Sequence, residues 1–397
     1  MSEKTQRIYK TIMLVILTAA ITFIITSIVM YNFSGEEKVK YITTTDTIGK
    51  TFQTFRSFIE KNYLGEIDDS QMLESAIKGY VEGLNDEYSE YITKEEMEEY
   101  MEDTTGKYVG IGVYITNNTK TNQIVVLMPM KESPAEEAGI KSGDIITKID
   151  GVAYTGEELN KASSALKSEE GTKAQIEILR DGEIINLEVE RREVKVNCIE
   201  TEVLENKIGY IEISTFDDGF YDEFKQKWEE LKEKNITSLI IDLRNNGGGI
   251  VDEAVNIADM MIEKDKTILI TSNKDKTEEI TKAKQEKIID IPIVILVNEN
   301  TASASEILTA SVRENNENVK IVGTTTYGKG IIQTLFKLTD GSGIKLTTNA
   351  YYTPNHNEIH KVGIKPDIEV ELPEGESFYS VKMENDTQLQ KAIEILK

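Results

Sequence analysis

At 397 residues the chain has room for two or three domains with ample core. Its 45 basic against 70 acidic residues leave a formal charge of −25, which excludes a nucleic-acid binder because nothing here could replace phosphate counterions. The single cysteine, Cys198, excludes an internal disulfide and any cysteine-based metal site; in the strand-like run VKVNCIE it reads as a small core residue.

Residues 1–10 carry Lys4, Arg7 and Lys10 ahead of TIMLVILTAAITFIITSIVMY at 11–31. That uncharged apolar run is long enough to span a bilayer as a helix. The basic flank predicts a cytoplasmic N-terminus, and no A-x-A-like cleavage site follows. An uncleaved single-pass anchor in the cell membrane is therefore expected, with a cleaved signal peptide as the alternative, and with everything past residue 35 outside the cytoplasm. A disulfide-free extracytoplasmic chain suits a bacterium. Residues 43–106 read as helical, because TFQTFRSFIEKNYLG and DSQMLESAIKGYVEGL place apolar residues at helical spacing and TKEEMEEYMEDT adds an acidic helix. No chemistry is visible in this region.

From Lys107 the pattern changes to alternating strands and glycine turns: VGIGVYIT, QIVVLMPM, DIITKIDG and AQIEILRDGEIINLEVERREV, with a hairpin signal at Asp181–Gly182. Two helical pieces, SPAEEAGI and GEELNKASSALK, lie between them. This order, and above all SPAEEAGIKSGDIITKIDG at 133–151, resembles a PDZ domain, spanning 107–193. The resemblance implies that Gly110, Ile111, Gly112 and Val113 form the loop whose N–H groups hold a peptide's C-terminal carboxylate. Glycine also allows close backbone approach, and an exposed strand edge accepts an added peptide strand. By themselves these four residues are equally a glycine-rich strand start.

Residues 194–375 read as α/β. The strands NKIGYIEIS, ITSLIIDLR, IPIVILVNE and VKIVGT alternate with the helices FYDEFKQKWEELKEKN, IVDEAVNIADMMI and ASASEILTASVREN, which predicts a parallel sheet. The charged stretch 272–287 is expected to be a flexible insert. Ligands of such sheets bind at the strand C-terminal ends, where both NNGGG (245–249) and TASAS (301–305) emerge. Ser303 and Glu306 spell a capping box ahead of Ile307 and Leu308, so capping is the ordinary reading of Ser303. A serine nucleophile needs a base, and only two histidines exist, His356 and His360, both in TPNHNEIH. Their H-x-x-x-H spacing lacks the glutamate placement of a zinc helix, and Pro354 disfavours helix there, so no metal site is expected. Lysine is the remaining base, and Lys329 in GTTTYGKGIIQTLF sits between glycines with strand residues following. Taken alone, a lysine so placed is a turn residue.

DLRNNGGG (242–249), NENTASASEI (298–307) and GTTTYGKGIIQ (323–333), in that order behind a PDZ-like segment, resemble the carboxyl-terminal processing peptidases, and YYTPNHNEIH and VGIKPDIEVEL extend the match to residue 372. The resemblance implies a crotonase-like fold with a Ser–Lys dyad: Ser303 as nucleophile, Lys329 as base and Gln333 orienting the lysine. The oxyanion hole would combine the N–H of Ala304 with a glycine of 247–248. The family often has proline at 247, which points to Gly248. The histidines would then be structural or line the cleft. The expected molecule is a multidomain α/β, membrane-anchored endopeptidase that captures protein C-termini with its PDZ domain and cleaves nearby through an acyl-enzyme, with no metal or cofactor. Helices within 47–84 and the helical tail 376–397, which ends in DTQLQKAIEILK, offer faces for a homodimer, as relatives often pair, and equally suit packing within one chain. One departure from the family is GLNDEYSEY (83–91) where LDPHSSY is common. The rival readings are a catalytically idle PDZ scaffold, a penicillin-binding acyl enzyme and a CoA-binding crotonase relative. The second has only scattered S-x-x-K matches at Ser75, Ser164 and Ser342, with neither S-D-N nor K-T-G.

Overall fold

A computed structural model describes residues 47–397, so the apolar run at 11–31 lies outside the described residues. Among the described residues no helix is long and apolar enough to cross a membrane. The chain divides into two units, residues 1–71 and 72–397. In the first, α1 (Thr47–Asn62) carries Arg56, which grips Asp69 at the start of α2 (Asp69–Glu82) with Nη2–Oδ2 at 2.6 Å and Nε–Oδ1 at 2.9 Å. Both partners are exposed, so the pair adds little stability.

The second unit continues with β1 (Glu90–Ile92) and α3 (Lys94–Thr105). The Thr93 Oγ accepts from Glu96 N–H, and the Glu96 carboxylate accepts from Thr93 N–H in return, so α3 starts on a full capping box. Next come β2 (Lys107–Gly110), β3 (Val113–Asn118), β4 (Gln123–Pro129), the single turn α4 (Pro134–Glu137), β5 (Ile145–Ile149), β6 (Val152–Ala153), α5 (Leu159–Leu166), β7 (Lys173–Arg180), β8 (Glu183–Glu190) and β9 (Arg192–Lys195). The sheet order is β3-β4-β5-β7-β8 with β6 on β5, and β2 pairs separately with β9. Alternate residues such as Ile124, Val126, Ala174, Ile176 and Ile178 turn inward onto Ala162 and Leu166 of α5. VGIGVYIT is broken into two strands at Ile111–Gly112, where Gly112 has φ +74°. That break leaves β3 as an edge strand beside α5.

The rest comprises β10 (Ile199–Val203), β11 (Ile208–Ile213), α6 (Phe220–Glu233), β12 (Ser238–Asp242), α7 (Val251–Asp259), β13 (Thr267–Asn273), β14 (Glu278–Lys282), β15 (Ile293–Val297), α8 (Ala304–Asn315), β16 (Val319–Gly323), β17 (Ile331–Lys337), β18 (Gly343–Tyr352), β19 (Ile368–Glu369) and α9 (Thr387–Leu396). The main sheet runs β10-β11-β12-β15-β16-β19 and is parallel except for β10. Every residue of β12 and β15 is buried, which is why both are continuous apolar runs. One cluster joins this sheet to Phe220, Phe224 and Trp228 of α6, Ile257 of α7 and Leu308 of α8; another joins Ile240, Val294 and Leu296 to Leu389 and Ala392 of α9.

A second sheet, β1-β18-β13-β14 with β17 on β18, is antiparallel. It corrects the expectation for 272–287. β13 and β14 form a hairpin there, and the charges of β14 belong to an edge strand that must not pair further. The C-terminal helix is tied in by ions. Buried Arg244 holds Asp242 at 2.6 Å, Asp386 at 2.7 Å and the Gln388 side-chain oxygen at 3.0 Å. Arg244 would keep Asp242 without Asp386, but it would lose a buried charge-assisted bond, and the helix would lose the Asp386 side chain that caps the N–H groups of Gln388 and Leu389. Asp386→Ala should therefore cost about 3 kcal/mol of stability, read as a lower urea midpoint at unchanged slope.

Candidate active site

β12 and β15 lie side by side in register, so the turns that leave them emerge together. Polar groups stitch the two turns. Asn298 Oδ1 accepts from Asn245 N–H at 2.9 Å, Thr301 Oγ1 donates to the Leu243 carbonyl at 2.8 Å, and the Asn246 carbonyl accepts from Ala302 N–H and Ser305 Oγ. Ser303 then enters α8 with φ 58° and ψ −119°, a conformation that residues with a Cβ avoid. The Glu306 N–H donates to the Ser303 carbonyl at 2.9 Å and the Glu306 side chain accepts from Ser303 N–H, in the arrangement of a capping box. The close neighbour is Gly248, at φ +105°, where a Cβ would stand 2.8 Å from the Ser303 Cβ and 2.9 Å from Ala304 N. Only glycine fits.

The strained turn is held by Glu306, which is fully buried. Its carboxylate accepts from Ser303 N–H at 2.9 Å, Gly328 N–H at 2.8 Å, Lys329 N–H at 2.9 Å and Thr326 Oγ1 at 2.5 Å. Four donors fill the acceptor capacity of a carboxylate. Tyr351, also buried, sets its hydroxyl against the carbonyls of Ser303 and Lys329. The Ser303 turn and the Lys329 loop are thus fastened to each other at two points.

Both side chains open into one cavity of about 790 Å³, walled by Phe216, Gly247, Val251 and Leu269 among others. Among the described residues, the Lys329 amine has the Tyr88 ring, centred 4.8 Å away, as its contact, and neither an ion pair nor a hydrogen bond. Burial pulls its proton affinity below that of an ordinary lysine. The charge of Lys345 adds to this, while Asp86 and Glu306 oppose it. A strained serine at a helix N-terminus, an N–H beside it and a lysine whose burial weakens its hold on the proton suit acyl transfer.

Comparison with known proteins agrees. The description "Peptidase family S41" matches residues 207–370, "PDZ domain" matches 109–190, and "Activating protease CtpB N-terminal domain" matches 15–96. The carboxy-terminal processing protease CtpA of Bacillus subtilis (strain 168) is 34% identical over 373 residues, covering 93% of this chain and 78% of that protein. A probable CtpA-like serine protease of Staphylococcus haemolyticus (strain JCSC1435) is 34% identical over 389 residues, 96% of this chain and 77% of that one. The chain belongs to the carboxyl-terminal processing peptidase family. In fold it is similar to the putative S41 protease from Bacteroides fragilis, at 18% identity and TM-score 0.53 over 84% of this chain and 92% of that one.

Within this serine peptidase of family S41, Gln333 lines the same cavity, but its Nε2 donates to Thr347 Oγ1 at 3.2 Å. Ala304 is the first residue of α8. The N–H of Gly248 donates to Asn246 Oδ1 at 2.8 Å, while Gly247 is the glycine of that pair that lines the cavity. Gly110 closes β2 opposite Arg192, and Ile111, Gly112 and Val113 line a separate pocket of about 180 Å³ with Tyr108 and Leu166. Neither histidine lines the main cavity. His356 stacks on Tyr352 and meets Glu278 at 2.9 Å, which raises its proton affinity, and His360 keeps a buried Nδ1 with no partner among the described residues. Cys198 is buried with its thiol 2.8 Å from Asp217, and burial pushes that thiol up.

Spacing does not reveal Tyr351, Tyr88 or the reach of Glu306 to the lysine loop. The S-x-x-E signal covers only the bond from Ser303 N–H. Glu306→Gln keeps the shape but turns an NH₂ group toward two of the four donors, either Ser303 and Lys329 N–H or Gly328 N–H and the Thr326 hydroxyl. Leaving them unsatisfied should cost about 2–4 kcal/mol, seen as a lower thermal midpoint in calorimetry.

Proposed function

We propose that this chain is a membrane-anchored endopeptidase that holds a protein substrate by its C-terminus and cleaves near that end with a Ser303–Lys329 dyad. The observation that carries this reading is the strained Ser303, held at the start of α8 in one cavity with a lysine that has no ion pair among the described residues. Neutral Lys329 accepts the Ser303 proton as Oγ attacks the scissile carbonyl. The oxyanion forms against Ala304 N–H and the positive end of α8, with a glycine of 247–248 as second donor. The tetrahedral intermediate collapses to an acyl-enzyme as the amine leaves with the proton, and water, deprotonated by the same lysine, releases the trimmed protein. Gln333 orients Lys329 when the dyad closes.

Substrate capture falls to the loop 110–113 and the free edge of β3. A peptide adds there as a strand beside α5, with its carboxylate at Ile111–Val113. The apolar run 11–31 and its basic flank support a single-pass anchor, with the N-terminus in the cytoplasm and the peptidase outside.

Three outcomes test this on the ectodomain from residue 36, with an unfolded protein ending in apolar residues as substrate. Ser303→Ala and Lys329→Ala should each lower kcat by at least about 1,000-fold, with a chelator changing nothing. Equal cleavage by all three proteins would overturn the dyad, and cleavage by none would favour an idle PDZ scaffold. The lysine must be neutral to work, so kcat/KM should rise with pH through a midpoint below the ordinary lysine value of 10.5. Amidating the substrate's C-terminus should raise KM several-fold at unchanged kcat, because a charge-assisted bond in the loop is lost.

A further inference from the structure

The segment GLNDEYSEY reaches the site although no chemistry was visible in it. Asp86 organises its turn, accepting from Ser89 Oγ at 2.5 Å and from Tyr88 N–H at 3.3 Å. β1 then pairs with β18, Glu90 opposite Lys345. Ser89 Oγ accepts from Thr347 N–H at 3.0 Å, and Thr347 Oγ1 accepts from Gln333. Between these anchors Tyr88 has its hydroxyl 3.4 Å from that of Tyr327, in the lysine's own loop, and its ring face 4.8 Å from the Lys329 amine.

We propose that Tyr88 is a positioning residue for Lys329, its ring face binding the ammonium form and holding the side chain at the cavity wall until the proton leaves. An aromatic face attracts a cation and has no comparable attraction for a neutral amine. The interaction is effective here because nothing else among the described residues bonds that amine. The charged groups that bear on Lys329 come from three elements: Lys345 of β18, Asp86 of the segment that carries Tyr88, and Glu306 of α8. Burial and the bond to Tyr327 push the Tyr88 phenol up, so the ring stays uncharged through the working range. Segment 86–92 therefore belongs to the active site, and its pairing with β18 sets the distance between ring and amine.

The proposal rests on Lys329 as the base, and its test separates the two. In full chains carrying Ser303→Ala, the pH dependence of Lys329 acetylation by acetic anhydride, followed by mass spectrometry, reports the amine's titration without any need for activity. Tyr88→Leu keeps an apolar wall but removes the π face, and should move the midpoint down by about half to one pH unit. Tyr88→Phe keeps the face and should restore the original midpoint. With Ser303 present, the acid limb of kcat/KM should move with the Leu variant by the same amount. An unmoved midpoint in the Leu variant, or a Phe variant displaced as far as Leu, overturns the role of Tyr88. A midpoint that moves while the activity limb stays in place confirms the contact and removes Lys329 as the base.

Discussion

A single buried carboxylate organises this active site. Glu306 is fully buried, so its oxygens are met by protein donors, and those donors come from two chain segments more than twenty residues apart: the backbone of Ser303, and Thr326, Gly328 and Lys329. Charge-assisted bonds of this kind can offset the cost of a Ser303 backbone in a sparsely populated region. Tyr351 repeats the fastening from the carbonyl side. The serine turn and the lysine loop are therefore fixed to each other, and their side chains face one cavity.

Two sheets meet around that body. The parallel sheet delivers the serine and glycine turns from adjacent strand ends, as the crevice rule for open α/β sheets requires. The antiparallel sheet supplies the opposite wall through β13, β17 and β18, and β1 brings Tyr88 with it. Arg244, at the root of the glycine turn, is neutralised by Asp242 at the end of β12 and by Asp386, the N-cap of the helix that packs on the far face of the sheet. The tail of the chain thus helps fix the turn that lies against Ser303.

Much of this was legible in the residues. Continuous apolar runs marked the buried strands β12 and β15, and Asp181–Gly182 marked the hairpin of β7 and β8, because period and turn chemistry are local properties. The motif order carried the family and singled out Ser303 and Lys329, which the fold brings to one cavity. Charge was a poor guide at 272–287: glutamates and lysines there suit a solvent-facing edge strand as well as a mobile loop, and only pairing with β13 distinguishes them. Tyr88 was illegible because its partner is more than two hundred residues away and its own neighbourhood is ordinary acidic turn.

By itself the sequence determined many of the elements and the family, and it named a serine and a lysine. These are matters of residue type and short-range spacing. Tertiary structure decided that Ser303 enters α8 with a strained backbone facing the cavity, that Glu306 spans two loops, that Gly248 already spends its N–H on Asn246 while Gly247 faces the cavity, and that Tyr88 meets the lysine. Each depends on which groups are buried together without water. That competition for hydrogen bonds and charge is settled only when distant segments pack.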